Sequence, residues 1–241
     1  MTNNEPYILD ETNDFAVVFK PPRMHSAPLA KKEGGTLLEW FTARKKAAQF
    51  SGDCLMHRLD FDTHGLVLFA KNAKSFEFFK ELQDKGGFVK EYSAVCTVVC
   101  NESSVLGFPP PPALAPHAPS SENPLIIESY FRPFGPGRKL VRPVIDESKK
   151  NREIAKDNGG FYRTEITGIN KNTFTVRLKR GFRHQIRCHL CWAGFPIMND
   201  PLYPQPAEKG GSVPDMSLRA CALFFTDPST GKQLEYRIDK F

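Results

Sequence analysis

The distribution of hydrophobic and polar residues predicts six β-strands. Each is either a short apolar run, as in a buried strand, or an alternation of apolar and polar residues, as in a half-exposed one. They are Phe15–Phe19, Leu66–Ala70, Lys90–Val99, Phe174–Leu178, Leu218–Phe225 and Gln233–Ile238. The last two flank a sequence rich in turn-forming residues and are therefore predicted to form a hairpin.

Three stretches have the apolar spacing and end signals of helices. The sequence Thr36-Leu37-Leu38-Glu39 has the form of a capping box, so a helix is expected from there through Phe50. A second helix is predicted over Asn72–Lys85, where Gly86-Gly87 ends it. A third is predicted over His184–Ala193, followed by the capping residue Gly194.

The composition changes between about residues 100 and 160, and we expect a loop-rich insertion there. Gly107–Pro124 contains four consecutive prolines, which favours an extended or mobile loop over a packed element. Arg132–Arg163 is rich in Arg, Lys and Gly and is also predicted to be irregular. We interpret residues 1–241 as one domain that carries this insertion; a division into two domains near residue 110 is the alternative.

The bulk composition is that of a globular protein with a mild preference for a polyanionic partner. Of 241 residues, 40% are hydrophobic and 25% are charged, and the net charge of +6 favours a partner such as nucleic acid. No apolar run approaches the ~20 residues that a membrane span requires. The N-terminus lacks the pattern of a signal peptide, so the six cysteines are expected to be reduced thiols in the cytoplasm.

The clearest chemical signal precedes the second apolar strand, in His57-Arg58-Leu59-Asp60-Phe61-Asp62-Thr63-His64-Gly65. Asp60 follows a basic pair in a short loop at the edge of the core, where ionisable groups often carry chemistry. A carboxylate held there can act as a nucleophile or a general base. Taken alone, Asp60 is more simply a loop-capping aspartate, with Asp62 as its solvated neighbour.

Several motifs in a fixed order resemble those of the RluA-type pseudouridine synthases, which isomerise uridine within RNA. The segment from His57 to Lys71 resembles the catalytic motif of that family. The other motifs are Lys20-Pro21, Lys90-Glu91-Tyr92, Leu178 with Gly181 and His184–Leu190, Asp200-Pro201-Leu202-Tyr203, Leu218-Arg219-Ala220 and Asp227–Gly231. The resemblance implies an α+β fold with a largely antiparallel mixed β-sheet and packed helices. Because the pattern begins by about Phe15, no separate N-terminal RNA-binding module is expected.

The resemblance also implies roles for individual residues. Asp60 matches the catalytic nucleophile, Arg187 matches the basic residue that pairs with it, and Tyr92 matches the aromatic residue that packs against the target base and assists proton transfer. Arg58 matches the residue that fills the space of the flipped nucleotide. The residues expected to bind substrate are His57, Arg58, His184, Ile186 and Leu190, of which Ile186 and Leu190 match walls of the pocket.

Simpler interpretations exist for the same residues. Tyr92 alone would be a core tyrosine, and Arg187 alone would be a cation on a helix surface. Cys188 and Cys191, with His184 or His189, suggest a metal site, but no second Cys/His pair at zinc spacing accompanies them, so no metal is expected. Four positions depart from the family pattern and leave the RNA target open: Pro22, His64, Phe182 and Arg219.

We therefore expect site-specific isomerisation of uridine to pseudouridine in ribosomal or transfer RNA, by a cytoplasmic monomer without a cofactor. An inactive RNA-binding protein on the same scaffold is the alternative. A zinc deaminase fits less well, because no His is followed two residues later by Glu. A glycosidase also fits less well, because Asp60 and Asp62 share one loop and need not oppose each other across a substrate. The sequence leaves open whether Asp60 attacks the base or the sugar carbon.

Overall fold

Two hydrophobic strands, β2 (Phe15–Lys20) and β3 (His64–Ala70), pair in antiparallel fashion, and every residue of both is buried. This computed structural model describes residues 4–28, 34–44, 54–97, 107–145, 161–203 and 214–241. The chain divides into two compact units. Unit 1 consists of Met1–Glu91 and Leu218–Lys240, and unit 2 consists of Tyr92–Ser217 and Phe241.

The remaining elements alternate strands with three short helices. In chain order they are β1 (Tyr7–Glu11), α1 (Leu37–Arg44), α2 (Ala73–Asp84), β4 (Val89–Val95), β5 (Leu125–Phe134), a single 3-10 turn (Pro136–Arg138), β6 (Leu140–Val144), β7 (Tyr162–Asn170), β8 (Thr173–Leu178), α3 (Gln185–Trp192), β9 (Leu218–Thr226) and β10 (Gln233–Arg237). Among the described helices, of which α2 is the longest with 12 residues, none is long and apolar enough to cross a membrane.

Unit 1 is organised around β2 and β3. Strand β1 pairs antiparallel with β2, β9 pairs parallel with β3, and β10 pairs antiparallel with β9. Helix α2 packs on this sheet through a phenylalanine cluster in which Phe15, Phe79 and Phe225 meet edge to face, with centroids 5.2–6.1 Å apart. Asn72 caps the helix by accepting a hydrogen bond from the Ser75 amide at 2.8 Å.

Unit 2 contains the antiparallel ladder β8–β7–β5–β6, in which β6 is the edge strand. Helix α3 lies against one face of this ladder. His189 of α3 contacts Ser129 of β5 and Thr164 of β7, and the Cys188 thiol donates to the carbonyl oxygen of Val141 in β6. The opposite face of β5 and β6 is half-exposed.

Most sequence predictions of strands and helices are confirmed where the chain is described. The predicted α+β class is confirmed too, since of the strand pairs described above only β3–β9 is parallel. The capping box of α1 is present, because the Thr36 amide donates to Glu39 Oε2 and the Glu39 amide donates to Thr36 Oγ1. The predicted extension of α1 over residues 45–50 lies outside the described residues. Strand β4 ends at Val95, so its predicted extension through Cys96 and Thr97 is wrong, and residues 98–99 lie outside the described part. The single-domain organisation stays a prediction.

The prediction that Arg132–Arg163 is irregular is wrong for its described parts. The end of β5, all of β6 and the start of β7 lie in this range. Buried and half-buried positions alternate in β5, but the Arg, Lys and Gly content of the range led to the prediction of a loop. Pro143 argues against a central strand, but β6 is at the sheet edge, where a residue without an N–H is tolerated. Gly107–Pro124 has no helix or strand, as predicted for a loop. It is nevertheless packed at one end, because Phe108 is buried and the Trp192 indole N–H donates to the carbonyl oxygens of Pro109 and Pro110.

Candidate active site

Asp60 lies in a tight turn just before β3. The Thr63 amide donates a hydrogen bond of 3.1 Å to the carbonyl oxygen of Asp60, which closes a four-residue turn. Upstream of the turn, the Met56 amide donates to the carbonyl oxygen of Leu68 in β3 at 3.0 Å. The turn is therefore attached to a buried strand on both sides, and Asp60 itself is half-buried.

Ser26 fixes the residue immediately before Asp60. Its hydroxyl donates to the carbonyl oxygen of Leu59 at 2.8 Å and accepts from the Leu59 amide at 3.0 Å. Ser26 is 2% exposed and Leu59 6% exposed, so water does not compete for these two backbone groups. One side chain thus holds both polar groups of the peptide that leads into Asp60.

Lys20 supports the same turn from the end of β2. Its side chain is fully buried, and its ammonium donates to the carbonyl oxygens of Pro21, Met24 and Phe61 at 2.7–3.2 Å. Burial lowers the pKa of Lys20 to about 7, although the nearby charges of Asp60 and Asp62 act in the opposite direction. Lys20 therefore ties the Asp60 turn to the β2 edge and places a positive charge close to it.

His57, predicted to bind substrate, has a structural contact. Its Nε2 accepts a hydrogen bond of 3.2 Å from the Leu68 amide, which assigns the ring proton to Nδ1. Burial, and then the charge of Lys90, holds the pKa of His57 well below its usual value, so the ring is neutral. The imidazole packs against Phe88 with centroids 5.3 Å apart. His57 thus anchors the loop, and its contact with substrate stays a prediction.

Two of the departures from the family pattern, His64 and Arg219, contact each other. They are paired residues of β3 and β9, and Arg219 Nε donates to His64 Nε2 at 3.0 Å. His64 is 1% exposed. Burial, with the charges of Arg219 and Lys20, lowers the pKa of His64 to about 4. The ring is therefore a neutral acceptor, and Arg219 also donates to the carbonyl oxygen of Asp239.

Gly65 is required by the close approach of β3 and β9. Its φ of +123° is unfavourable for residues with a side chain. A Cβ atom there would overlap the carbonyl oxygen of Ala220 and lie 2.6 Å from its amide nitrogen. The glycine of the catalytic motif thus lets the strand after the Asp60 turn reach β9.

Arg187 is a buried residue of unit 2, so its interpretation as a helix-surface cation is wrong. It is 2% exposed and binds Asp200 in a bidentate geometry, with Nε–Oδ2 at 2.8 Å and Nη2–Oδ1 at 2.7 Å. Asp200 also accepts from the amides of Leu202 and Tyr203. This contact uses two of the five N–H donors of the guanidinium. Pairing of Arg187 with Asp60 stays a prediction.

The other predicted residues of α3 are placed as follows. His184 precedes the helix in the left-handed conformation, with φ of +58°, and its Nδ1 lies 3.3 Å from the Tyr203 hydroxyl. Ile186 and Leu190 are buried, at 4% and 0% exposure. His189 is a structural residue, since both ring nitrogens contact hydroxyls and burial lowers its pKa to about 3. Within the described ranges, no group of three or more His, Cys, Asp or Glu side chains is placed to hold a metal.

Tyr92 and Arg58 differ in exposure. Tyr92, in β4, is 6% exposed, whereas Arg58 is exposed, and the roles of both stay predictions. Sequence reasoning missed Ser26, Lys20 as a support and Asp200 as the partner of Arg187. Lys20 and Asp200 belonged to motifs already recognised, but Ser26 gave no signal, because its contact with Leu59 spans 33 residues.

The sequence matches a known family profile over most of its length. Residues 14–192 match the profile described as RNA pseudouridylate synthase. A solved structure, human RNA pseudouridylate synthase domain containing 1, has a TM-score of 0.66 to this chain. It shares 19% identity and covers 98% of this chain and 84% of its own. This likeness supports the fold.

Curated relatives carry related names. The chain is 24% identical over 195 residues to the ribosomal large subunit pseudouridine synthase D of Buchnera aphidicola, covering 80% of this chain and 52% of that protein. It is 29% identical over 212 residues to the ribosomal large subunit pseudouridine synthase C of Salmonella typhi, covering 85% of this chain and 58% of that protein. The chain therefore spans little more than half the length of these relatives.

Proposed function

Because the chain belongs to the RNA pseudouridylate synthase family, we propose that it isomerises uridine to pseudouridine in RNA, with Asp60 as the nucleophile. The observation that carries this proposal is the support of the Asp60 turn: Ser26 and Lys20 hold the backbone on either side of Asp60. Neither contact uses the Asp60 carboxylate. A nucleophile needs a main chain that holds its side chain in one position, and these two contacts supply it.

The reaction is an isomerisation, so its atoms balance without a co-reactant. Asp60 attacks the uracil ring or the sugar C1′, the bond between N1 and C1′ breaks, and the uracil rotates. A new bond forms between C5 and C1′, and the bond between Asp60 and the attacked carbon breaks. The proton leaves C5, and N1, which has lost its bond to C1′, takes up a proton. The Tyr92 ring packs on the base and its hydroxyl assists proton transfer at the sugar. No step needs a redox cofactor or a metal.

In this proposal Arg187 pairs with Asp60 and keeps it ionised. The buried position of Arg187 supports this role, because a buried cation requires anionic partners. Its bidentate contact with Asp200 supports it further by fixing the plane of the guanidinium. The other residues proposed to contact the substrate are Arg58, His57, His184, Ile186 and Leu190.

The proposed substrate is ribosomal or transfer RNA. Two relatives are named as ribosomal large subunit synthases, which favours ribosomal RNA. The net charge of +6 supports binding to a polyanion. We propose that the protein acts as a monomer in the cytoplasm, where these RNAs are reached without export.

Replacement of Asp60 by Asn tests the proposal. Loss of a covalent nucleophile should reduce turnover by at least ~10⁴-fold, or about 5–6 kcal/mol of barrier. The assay is release of tritium from RNA labelled at uridine C5, together with mapping of pseudouridine in cellular RNA with and without the gene. The matched control is Asp62→Asn, which removes a carboxylate two residues away and should retain activity. An Asp60→Asn variant that turns over readily would refute the assignment, and a wild-type protein that binds RNA without product would favour the inactive binder.

A further inference from the structure

A half-exposed face of unit 2 combines arginines with aromatic rings, and the proposed chemistry does not use it. In β5, Leu125, Ile127, Ser129 and Phe131 are buried beneath α3 and its neighbours, and the intervening residues lie on the opposite face. We call this opposite surface the arginine–aromatic face. It consists of Tyr130, Arg132 and Phe134 of β5, Arg142 of β6, and Phe161, which directly precedes β7.

The two arginines are held opposite each other. Arg132 and Arg142 are cross-strand partners in the antiparallel β5–β6 ladder. Like charges in directly opposed positions destabilise a sheet. Desolvation, followed by the charge of Arg132, lowers the pKa of Arg142. Two guanidinium groups in directly opposed positions concentrate positive charge, which attracts an anion such as a phosphate.

Arg142 is fixed in place before any ligand arrives. Its guanidinium carbon lies 5.6 Å from the centroid of the Phe134 ring, and its Nη1 donates to the carbonyl oxygen of Gly107 at 3.3 Å. Its Nε is buried and has no hydrogen-bond partner among the described residues. A pre-positioned guanidinium binds a phosphate at lower entropic cost than a flexible lysine does.

An exposed aromatic pair continues the face next to the arginines. Phe161 is 49% exposed, and its ring meets Tyr130 edge to face with centroids 4.9 Å apart. Tyr130 is two residues from Arg132 on the same strand, so ring and cation lie about 7 Å apart along it. Glu128, an acidic residue of β5 on this face, is paired with Arg163.

Building on the proposed function, we infer that the arginine–aromatic face binds single-stranded RNA that flanks the target uridine. Arg132 and Arg142 bind phosphates, and Phe161 with Tyr130 stacks a base, the combination by which proteins hold unpaired nucleotides. A second copy of the chain is disfavoured as the occupant, because the same two arginines would repel each other across a symmetric contact.

The test compares three variants with wild type for binding of a fluorescent 20-nucleotide oligouridylate. Arg132→Gln/Arg142→Gln removes both cations and Phe161→Ala removes the exposed ring. The matched control, Lys80→Gln/Lys232→Gln, removes two exposed charges elsewhere. The arginine variant should weaken binding and reduce the slope of log affinity against log salt by about 1.4, because each single-strand phosphate contributes about 0.7. Phe161→Ala should weaken binding by roughly 5- to 150-fold with the slope unchanged. The control should have little effect.

Turnover separates failure of this inference from failure of the proposed function. On cellular RNA from a strain that lacks the gene, the face variants should raise KM and leave kcat near wild type, as expected for loss of uniform binding. Arg132→Lys/Arg142→Lys should keep the salt slope, and it remains informative if the Gln variant does not fold. Normal binding by all face variants of an active enzyme would overturn the inference and leave the function intact. A change of oligomeric state in place of RNA affinity would overturn it in favour of a protein interface.

Discussion

Two buried hydroxyls flank Asp60, and the structure predicts opposite consequences of removing them. Ser26 makes two hydrogen bonds to the backbone of Leu59, at 2.8 and 3.0 Å. Thr63 is 2% exposed, and its Oγ1 has no hydrogen-bond partner among the described residues. Loss of the first hydroxyl strands a buried N–H and a buried C=O, whereas loss of the second removes a polar group that is already unsatisfied.

The expected magnitudes follow from this difference. Each stranded backbone group costs about 1–3 kcal/mol, so Ser26→Ala should lower the free energy of unfolding by about 2–6 kcal/mol. Relaxation of the turn that admits water would bring the loss towards the lower figure. Thr63→Val keeps the shape of the side chain and should leave stability unchanged or slightly raised.

Urea unfolding measures the first effect, and tritium release from labelled RNA measures its functional consequence. At a temperature where both variants are folded, Ser26→Ala should also reduce kcat, because the peptide before Asp60 loses both of its fixed contacts. Thr63→Val should turn over like wild type. Equal stability of Ser26→Ala and wild type within ~0.5 kcal/mol, with an unchanged kcat, would refute the role assigned to Ser26. An equally large loss in Thr63→Val would show that the reasoning about satisfied and unsatisfied hydroxyls fails here.

Predictions also follow for three further residues, Tyr92, Gly65 and His64. Tyr92→Phe should bind RNA nearly as well as wild type yet turn over ~10²–10⁴-fold more slowly, whereas Tyr92→Ala should lose both binding and turnover. Turnover of the Phe variant at the wild-type rate would exclude a catalytic role for the hydroxyl. Gly65→Ala should lower the thermal midpoint strongly, since its methyl group would overlap Ala220; an unaltered melting curve would contradict the steric argument. The pKa of His64 is about 4 in the folded state and near 6.5 in the unfolded chain, so the unfolded chain binds an extra proton between these values and the free energy of unfolding should fall as pH drops through them. In urea titrations, His64→Gln should reduce the dependence of the unfolding free energy on pH, and an unchanged dependence would contradict the role assigned to His64.

Local patterns were sufficient for the elements that carry the site. The apolar runs of β2 and β3, the capping box of α1 and the periodicity of α2 are properties of consecutive residues, and each predicted element is present. The β5–β6 hairpin was missed because it contains Arg and Pro, which gave it the composition of a loop. The buried alternation in β5 would have indicated a strand if each face had been considered separately.

Long-range contacts were beyond the reach of the sequence for a physical reason. The Asp200 carboxylate lies 13 residues from Arg187, and the Ser26 hydroxyl lies 33 residues from Leu59. Nothing in either local pattern specifies the partner. His64 and Arg219 illustrate the same limit, since each was noticed as a separate departure from the family pattern and only the β3–β9 pairing brings them together.

The supports of Asp60 share a property that explains both their function and their poor visibility in sequence. Ser26 binds the Leu59 backbone, Lys20 binds the Phe61 carbonyl oxygen, and His57 binds the Leu68 amide. All three contacts are with main-chain atoms. Because every residue has these atoms, the type of the contacted residue does not reveal the contact in the sequence. None of these contacts involves the Asp60 carboxylate, which the proposed reaction needs. Loss of one support should therefore slow the reaction by degrading geometry, whereas loss of Asp60 removes the bond-forming group itself.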